Sequence, residues 1–521
     1  FVYTPLIEEK EYIGQESHSF LERYYDGDIT AMLSAYIEDD KLSESEINTL
    51  HSLLLKRTKN RRVRRMDQTY MKTKKILPLV MSMAVPMVLS MLINSLYNIV
   101  DSLFIAKISE DAMTAISLVF PLYNFAGAVS IGFGVGANAV TAYFLGEGNQ
   151  KNADGAASLS LLLSLVHSAI LTVGLLIAVV PFLKSFTDSR PIINYGSQYG
   201  FIVFGGLLIG QISLIYEKLF QAIGRVRISM LSMIAGCVTN IVLDPVMIFG
   251  IGPCPAMGIR GAAIATLIGQ AVSLIWYLAA QRRGLLGLQL SLREGWHCRK
   301  LAGRLYGIGI PAILNQALPS ILITALNAIL AAFSQTDVLI LGVYYKLQTF
   351  IYLTANGIVQ GIRPLVAYNY GAGILRRVRE IFKTALGLAF MVMAVGMMLC
   401  LLIPGELIGM FTENTETIRA GAAALRIISS GFIISAVSVV VCGTLEGLGF
   451  GVMSFVVSLM RYAGVILPAA WIMSRLFGAA GVWHAFWIAE FTAAAVSVIL
   501  YHFVMRRIGR SVTFPENIDD K

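Results

Sequence analysis

Two carboxylates occupy positions where a charge is expensive. Asp101, in NSLYNIVDSLF (94–104), lies inside an apolar run that starts at Ile76, and no Lys, Arg or His is nearer than Lys107. Asp244, in VTNIVLDPVMIF (238–249), sits in a similar run. A charge near the centre of a bilayer costs about 2.5–3.5 kcal/mol even on the lenient insertion scale, so acids kept there are functional by default. Asn94, Tyr97 and Asn98 share a helical face with Asp101 by their spacing, and Asn240 is one turn before Asp244. Acids flanked by neutral hydrogen-bonding groups suit reversible binding of a proton or another small cation. Pro86 and Pro245 each remove a helix amide, freeing the carbonyls of Ser82 and Ile241. We take Pro86 as the expected hinge. Glu217 and Glu446, about two turns from loop glycines and within expected reach of the interface, and Glu490 are secondary candidates.

The elements that must position these residues are membrane spans. The chain has 521 residues, 56% hydrophobic and 14% charged, against about 25% charged in soluble domains. Twelve runs are long enough to cross a bilayer: about 76–105, 113–145, 155–183, 193–222, 228–250, 259–280, 303–331, 336–370, 378–404, 417–445, 452–474 and 481–504. Lipid offers the backbone no partner and alternating ten-residue strands are absent, so all twelve read as helices. The expected fold is all-α and polytopic, with the lipid bilayer as solvent. Arg225, Arg227, Arg282, Arg283, Arg376, Arg377 and Arg506 fall in one set of loops and the tail, while the opposite set is sparse in Lys and Arg. Positive charge marks the cytoplasmic side, which puts both termini there. The reading is a multi-pass protein of the cell (cytoplasmic) membrane.

An internal repeat organises the spans. An offset of 225 links Pro86 to Pro311, Gly132 to Gly357, Gly136 to Gly361, Gly146 to Gly371, Gly148 to Gly373 and Gly224 to Gly449; near the end of each half, an offset of 220 links Gly258 to Gly478. Six spans per half is an even number, so the halves are parallel, as transporter halves often are. We expect an N-terminal six-helix lobe over 66–284 and a C-terminal one over 285–521. The copies agree on glycines and disagree on acids. The counterparts of Asn94, Tyr97, Asn98 and Asp101 are Pro319, Leu322, Ile323 and Leu326, and those of Asn240 and Asp244 are Val465 and Ala469.

The segments LDPVMIF, GIRGAAIATLIGQ, RPLVAYN, NYGAG, SLMRYAGVILP and GVWHAFWIAE together resemble the multidrug and toxic compound extrusion (MATE) family over about residues 70–510. The resemblance implies two six-helix lobes forming a V, and an antiporter that exports organic cations or amphipathic drugs against H⁺ or Na⁺. It implies coupling roles for Asp101 and Asp244, hydrogen-bonding roles for Tyr97 and Asn240, and the helix-1 bend at Pro86. Arg363, where related sequences often carry Gln, departs from the pattern. A lipid or lipid-linked oligosaccharide flippase of the same superfamily is the alternative; it favours an arginine-rich cavity, and the spans read as holding few. An enzyme would need converging nucleophile, base or metal ligands, which the sequence does not offer. No cofactor, no metal site beyond Na⁺ at Asp101 and Asp244, and no nucleic-acid partner are expected. The membrane part is expected to be a monomer.

Residues 1–50 hold twelve Asp and Glu and three basic residues, and KRTKNRRVRR (56–65) follows. Residues 1–57 resemble the C-terminal dimerisation helices of penicillinase-repressor proteins, with Ser43 and Glu46 as a capping box. No DNA-reading helix accompanies them. The segment 1–65 is therefore expected to be dispensable. Deleting it should leave the implied export at the full-length level in vesicle uptake; a truncated protein that inserts normally and transports nothing would show that the segment belongs to the machine.

Overall fold

The computed structural model describes residues 19–25, 49 and 69–511, which includes nearly all of the apolar runs; Ser43 and Glu46 lie outside them. Phe1–Thr69 and Tyr70–Lys521 are separate compact units. Among the described residues the second unit is all helix, with twelve spans in two parallel six-helix lobes. The first lobe runs through α1 (Ile76–Ala106), α2 (Glu110–Glu147), α3 (Gln150–Lys184), α4 (Arg190–Gly205), α5 (Leu207–Ala222), α6 (Val226–Phe249) and α7 (Ile259–Arg282). The second runs through α8 (Ala302–Ala331), α9 (Gln335–Gly371), α10 (Leu375–Leu402), α11 (Thr415–Ser429), α12 (Phe432–Gly447), α13 (Gly451–Leu459), α14 (Leu467–Phe477) and α15 (Ala479–Ser511).

Two of the expected continuous spans are bent. The run 193–222 divides into α4 and α5 at 47°, and 417–445 divides into α11 and α12 at 52°. Both breaks fall at glycine, Gly206 and Gly431, the residue that weakens a helix interior most after proline. Ten helices are long enough to span by themselves, and the two bent pairs complete the twelve. Helix starts repeat as the glycines do. Ser109 accepts from the amide of Ala112 to open α2, and Ser334, 225 residues on, accepts from Asp337 to open α9, each satisfying an amide that the helix leaves free.

The repeated glycines serve two purposes. Gly148, Gly224 and Gly258, with partners Gly373, Gly449 and Gly478, have positive φ and turn the chain out of or into helices. Gly132, Gly136 and Gly146, with Gly357, Gly361 and Gly371, are where the lobes touch. A β-carbon on Gly146 would strike the carbonyl of Tyr368, and one on Gly371 the carbonyl of Tyr143. Gly357 and Gly361 lie against Val88 and Ala84 of α1, and Gly132 and Gly136 against Ile313 and Leu305 of α8. Tyr143 and Tyr368, and Val88 and Ile313, are again 225 apart, so the interface is a pseudo-two-fold pairing of backbones. All these contacts fall in the halves of α1, α2, α8 and α9 nearest the start of α1.

The approach to α1 is tied to both lobes. The Tyr70 hydroxyl donates to the carbonyl of Gly224 at 2.7 Å, and Arg377 Nη2 donates to that of Lys74 at 2.7 Å. Asn369 Nδ2 donates to Met71 O at 3.1 Å. Burial, with Tyr368 nearby, pushes the Tyr70 phenol up to about 12, so it stays a donor.

The α13–α14 span contains one widened turn, a π turn over Met460–Ile466, which inserts one residue. The insertion corrects the repeat alignment. Gly261 packs on the carbonyl of Met247 and Gly481 on that of Met473, and 473 − 247 = 226. From the end of the π turn onward, the counterparts of Asn240 and Asp244 are therefore Ile466 and Ala470, both buried, in place of Val465 and Ala469. They remain apolar.

If the glycine pairing sets the lobe interface, Gly146→Ala and Gly371→Ala should each lose about 1–3 kcal/mol, the usual range for overpacking. Gly174→Ala, with open space around its β-carbon site inside α3, should lose nothing and gain up to about 1 kcal/mol of helix propensity. Thermal unfolding in detergent reads the difference.

Candidate functional site

The acids are brought together by the way α6 packs on α7. Ser232, Gly236, Asn240 and Asp244 recur every four residues and form one buried stripe of α6. Ser232 Oγ donates to Ser273 O at 2.8 Å, and Ser273 Oγ returns a bond to Ser232 O at 3.0 Å. One turn on, Gly236 and Gly269 meet so closely that a β-carbon on either would lie 2.7 Å from the other's carbonyl oxygen. That approach delivers Asn240 to α7, where Nδ2 lies 3.4 Å from Thr266 Oγ1 and 3.3 Å from Asp244 Oδ1. Asp244 is wholly buried.

Helix α1 lies against α6 and supplies Tyr97 and Asp101, both half-buried. The carboxyls of Asp101 and Asp244 are within hydrogen-bonding range of each other. Asp101 Oδ1, Asn240 Oδ1 and Asp244 Oδ2 are buried and receive no donor. Two carboxylates have no proton to offer one another, so one proton shared between them would satisfy two of the three oxygens, and a cation accepting three or more would satisfy the cluster. Tyr123 of α2 and Tyr199 of α4 lie within electrostatic range of Asp101, and Tyr97 and Tyr199 beside Thr266. Gln270 of α7 adjoins Tyr123. The site is thus an acid pair with three phenols in its surroundings, in the half of the lobe away from the lobe contact.

Asn94 and Asn98 are not in it. Both are exposed, and Asn98 Nδ2 bonds its own helix at Asn94 O, 2.7 Å; spacing alone cannot tell which edge of a helical face meets a neighbour. Pro86 is buried within uninterrupted α1, between Ala84 and Val88, the residues that touch Gly361 and Gly357.

The secondary candidates are ion-paired, and none of the three reaches the interface as a free acid. Glu217 Oε1 accepts from Lys218 Nζ at 2.9 Å and Gln221 Nε2 at 2.7 Å. Lys218 Nζ also reaches Gln360 Oε1 of the other lobe at 3.3 Å. Glu446 Oε2 accepts from Arg363 Nη2 at 2.7 Å, and its Oε1 adjoins Ser454 Oγ at 3.1 Å and Asn315 Nδ2 at 3.4 Å. Glu490 pairs with Arg461. The C-terminal lobe therefore buries two arginines, more than the sequence led us to expect, although both carry a glutamate partner.

Sequence reasoning missed Tyr123, Tyr199, Thr266 and Lys218. Tyrosine and threonine are ordinary in spans and give no signal alone. The charged pair Glu217–Lys218 inside the run 193–222 was the visible clue to a buried lysine.

With this geometry in place, comparisons with known proteins become interpretable. The MatE family model matches residues 86–246 and 311–472, one stretch in each lobe. The penicillinase repressor model matches residues 1–56. The multidrug export protein MepA of Staphylococcus haemolyticus is 25% identical over 446 residues, covering 84% of this chain and 96% of that protein. MepA of Staphylococcus aureus strain MSSA476 is 24% identical with the same coverage. A structure described as the outward-facing conformation of a multidrug resistance MATE family transporter superposes with TM-score 0.79 at 21% identity, covering 85% of this chain and 98% of that one. At that identity the superposition speaks for the fold alone.

Pro86 and Pro311 are both buried at equivalent places, but only α1 also carries an acid. Pro86→Ala should lower turnover more than Pro311→Ala at equal expression. Equal losses would argue against a switch confined to the first lobe.

Proposed function

The chain belongs to the MATE family, whose members include multidrug export proteins of the cell membrane, and on that premise we propose that it is a cation-coupled antiporter. In this reading it exports organic cations and amphipathic drugs by alternating access, with Asp101 and Asp244 as the coupling groups. The observation that carries the reading is the acid pair itself: carboxyls from α1 and α6 in mutual range, with buried oxygens that no protein donor reaches.

Charged, the pair attracts a cationic substrate across a poorly screened path. Neutralised by a proton, it loses that attraction, and the polar cluster of Asn240, Tyr97, Tyr199 and Thr266 can repack. Substrate and proton compete for one negative charge, and exchange follows from the competition. The proton enters from the side on which the site opens, as the drug leaves. Pro86 lies in the lobe interface on the same helix as Asp101, so a change at the acid can be felt where the lobes must separate. Breaking the Lys218–Gln360 bond is part of that separation. Both termini are on the cytoplasmic side, in keeping with the Lys and Arg bias of the loops, and residues 1–65 play no part in the cycle.

Asp101→Asn and Asp244→Asn should each reduce gradient-driven uptake of a fluorescent cation into inverted vesicles by more than ten-fold, with the protein still folded and inserted. Separate pH and sodium gradients identify the ion: acceleration by Na⁺ at fixed pH would replace the proton by sodium at the same acids. Wild-type transport by both variants would sink the proposal.

A further inference from the structure

We propose that the polar cavity of the C-terminal lobe, floored by Arg363 and Arg461, is a subsite for the carboxylate of zwitterionic amphipathic substrates, a reading that rests on the chain being an exporter. The cavity holds about 170 Å³, space for a benzoate-sized group rather than a whole drug. Its mouth is formed by Gln316 and Asn356, both exposed, and its base by the buried Arg363, Arg461 and Glu446. Asn356 precedes Gly357, which rests on Val88 of the other lobe. The mouth therefore opens at the lobe interface.

The floor has donors to spare. A guanidinium carries five N–H groups in a planar fork suited to carboxylates. Arg363 uses Nη2 on Glu446, and Arg461 uses Nη2 on Glu490 and the Tyr352 hydroxyl. The Nε of each arginine is buried and without an acceptor, a costly state to leave uncompensated. Glu446 already takes Arg363, Ser454 and Asn315, while Glu490 lies outside the cavity lining. Facing the cavity are two guanidiniums and one well-occupied carboxylate. Each arginine is balanced by its own glutamate, so what the cavity offers a ligand anion is unused guanidinium N–H donors rather than net charge.

The repeat argues against a purely structural role. At the 225 offset Arg363 and Glu446 fall on Asn138 and Gln221, and Arg461 falls on Gly236; at 220, Glu490 falls on Gln270. The first lobe holds the same scaffold together with neutral residues at all four places. Arg461 also sits in the π turn, a distortion frequent at functional sites. The lobes thus offer complementary groups, acids without donors in one and arginines with spare donors in the other, as a substrate carrying both a cation and an anion would use.

Rhodamine 123 and rhodamine 110 test the proposal, since they share a cationic xanthene and differ in whether the aryl carboxylate is esterified or free. Binding to the purified full-length protein, followed by fluorescence polarisation, needs no ion gradient. The wild type should bind rhodamine 110 more tightly than its ester. Removing one member of a buried ion pair strands the other, so the variants are the neutral doubles Arg363→Gln with Glu446→Gln and Arg461→Gln with Glu490→Gln. Each should weaken rhodamine 110 at least ten-fold and rhodamine 123 less than two-fold. Should a double variant misfold, Arg461→Lys, which keeps the charge and loses the fork, should still weaken rhodamine 110 selectively. A wild type with no preference for the free acid, or variants that affect both dyes equally, would overturn the subsite. Asp101→Asn and Asp244→Asn should weaken both dyes alike; if they change neither while the arginine doubles remain selective, the subsite stands and the coupling reading fails.

Discussion

Everything in this molecule depends on two lobes approaching backbone to backbone. Gly146 against Tyr368 O and Gly371 against Tyr143 O admit no side chain, and the same holds where Gly361 meets Ala84 of α1. Between helices in lipid there is no hydrophobic gain from association, so close packing of small residues supplies the adhesion. Such an interface is tight yet carries few directional bonds. Among the described residues the polar links between the lobes include Lys218 Nζ to Gln360 Oε1 at 3.3 Å, His167 Nε2 with the Tyr306 hydroxyl at 2.7 Å, and the bonds from Asn369 and Arg377 to the backbone just before α1. A contact built from shape can release and re-form. Because these contacts occupy one half of α1, α2, α8 and α9, they leave the other half, with Asp101 and Asp244, free of them.

The two lobes solve the problem of buried charge in different ways. In the C-terminal lobe Arg363 and Arg461 are each matched by a glutamate, the usual condition for keeping ions out of water. In the N-terminal lobe two acids face each other among neutral groups, with Asn240 donating to one of them. An unmatched acid pair is stable only if a proton or cation joins it. The duplicated scaffold makes the contrast interpretable, since Ile466 and Ala470 occupy the equivalent buried places without any polar group.

The glycine repeat was legible in the sequence because backbone contact tolerates only one residue type. Side-chain contact tolerates many, which is why the three phenols around Asp101 left no trace. Helical spacing grouped Asn94, Tyr97, Asn98 and Asp101 on one face, and the structure divides that face: Tyr97 and Asp101 turn inward, the asparagines outward. The angle between two side chains on an isolated helix is a matter of arithmetic, but the direction of the neighbouring helix is not. The π turn escaped for a related reason, because one residue added inside an apolar run of more than twenty barely alters its length or hydropathy.

The sequence by itself determined the number of spans, the twofold repeat, the two acids and the proline on the first of their helices. Each follows from a cost that lipid imposes residue by residue, on exposed backbone, on charge, or on a missing amide. Only the tertiary structure decided that Asp101 and Asp244 meet, that Glu217, Glu446 and Glu490 are neutralised by Lys218, Arg363 and Arg461, and that the repeated glycines are the lobe interface. Those are relations between helices distant in the chain, set by which ridge settles into which groove, and no local pattern encodes them.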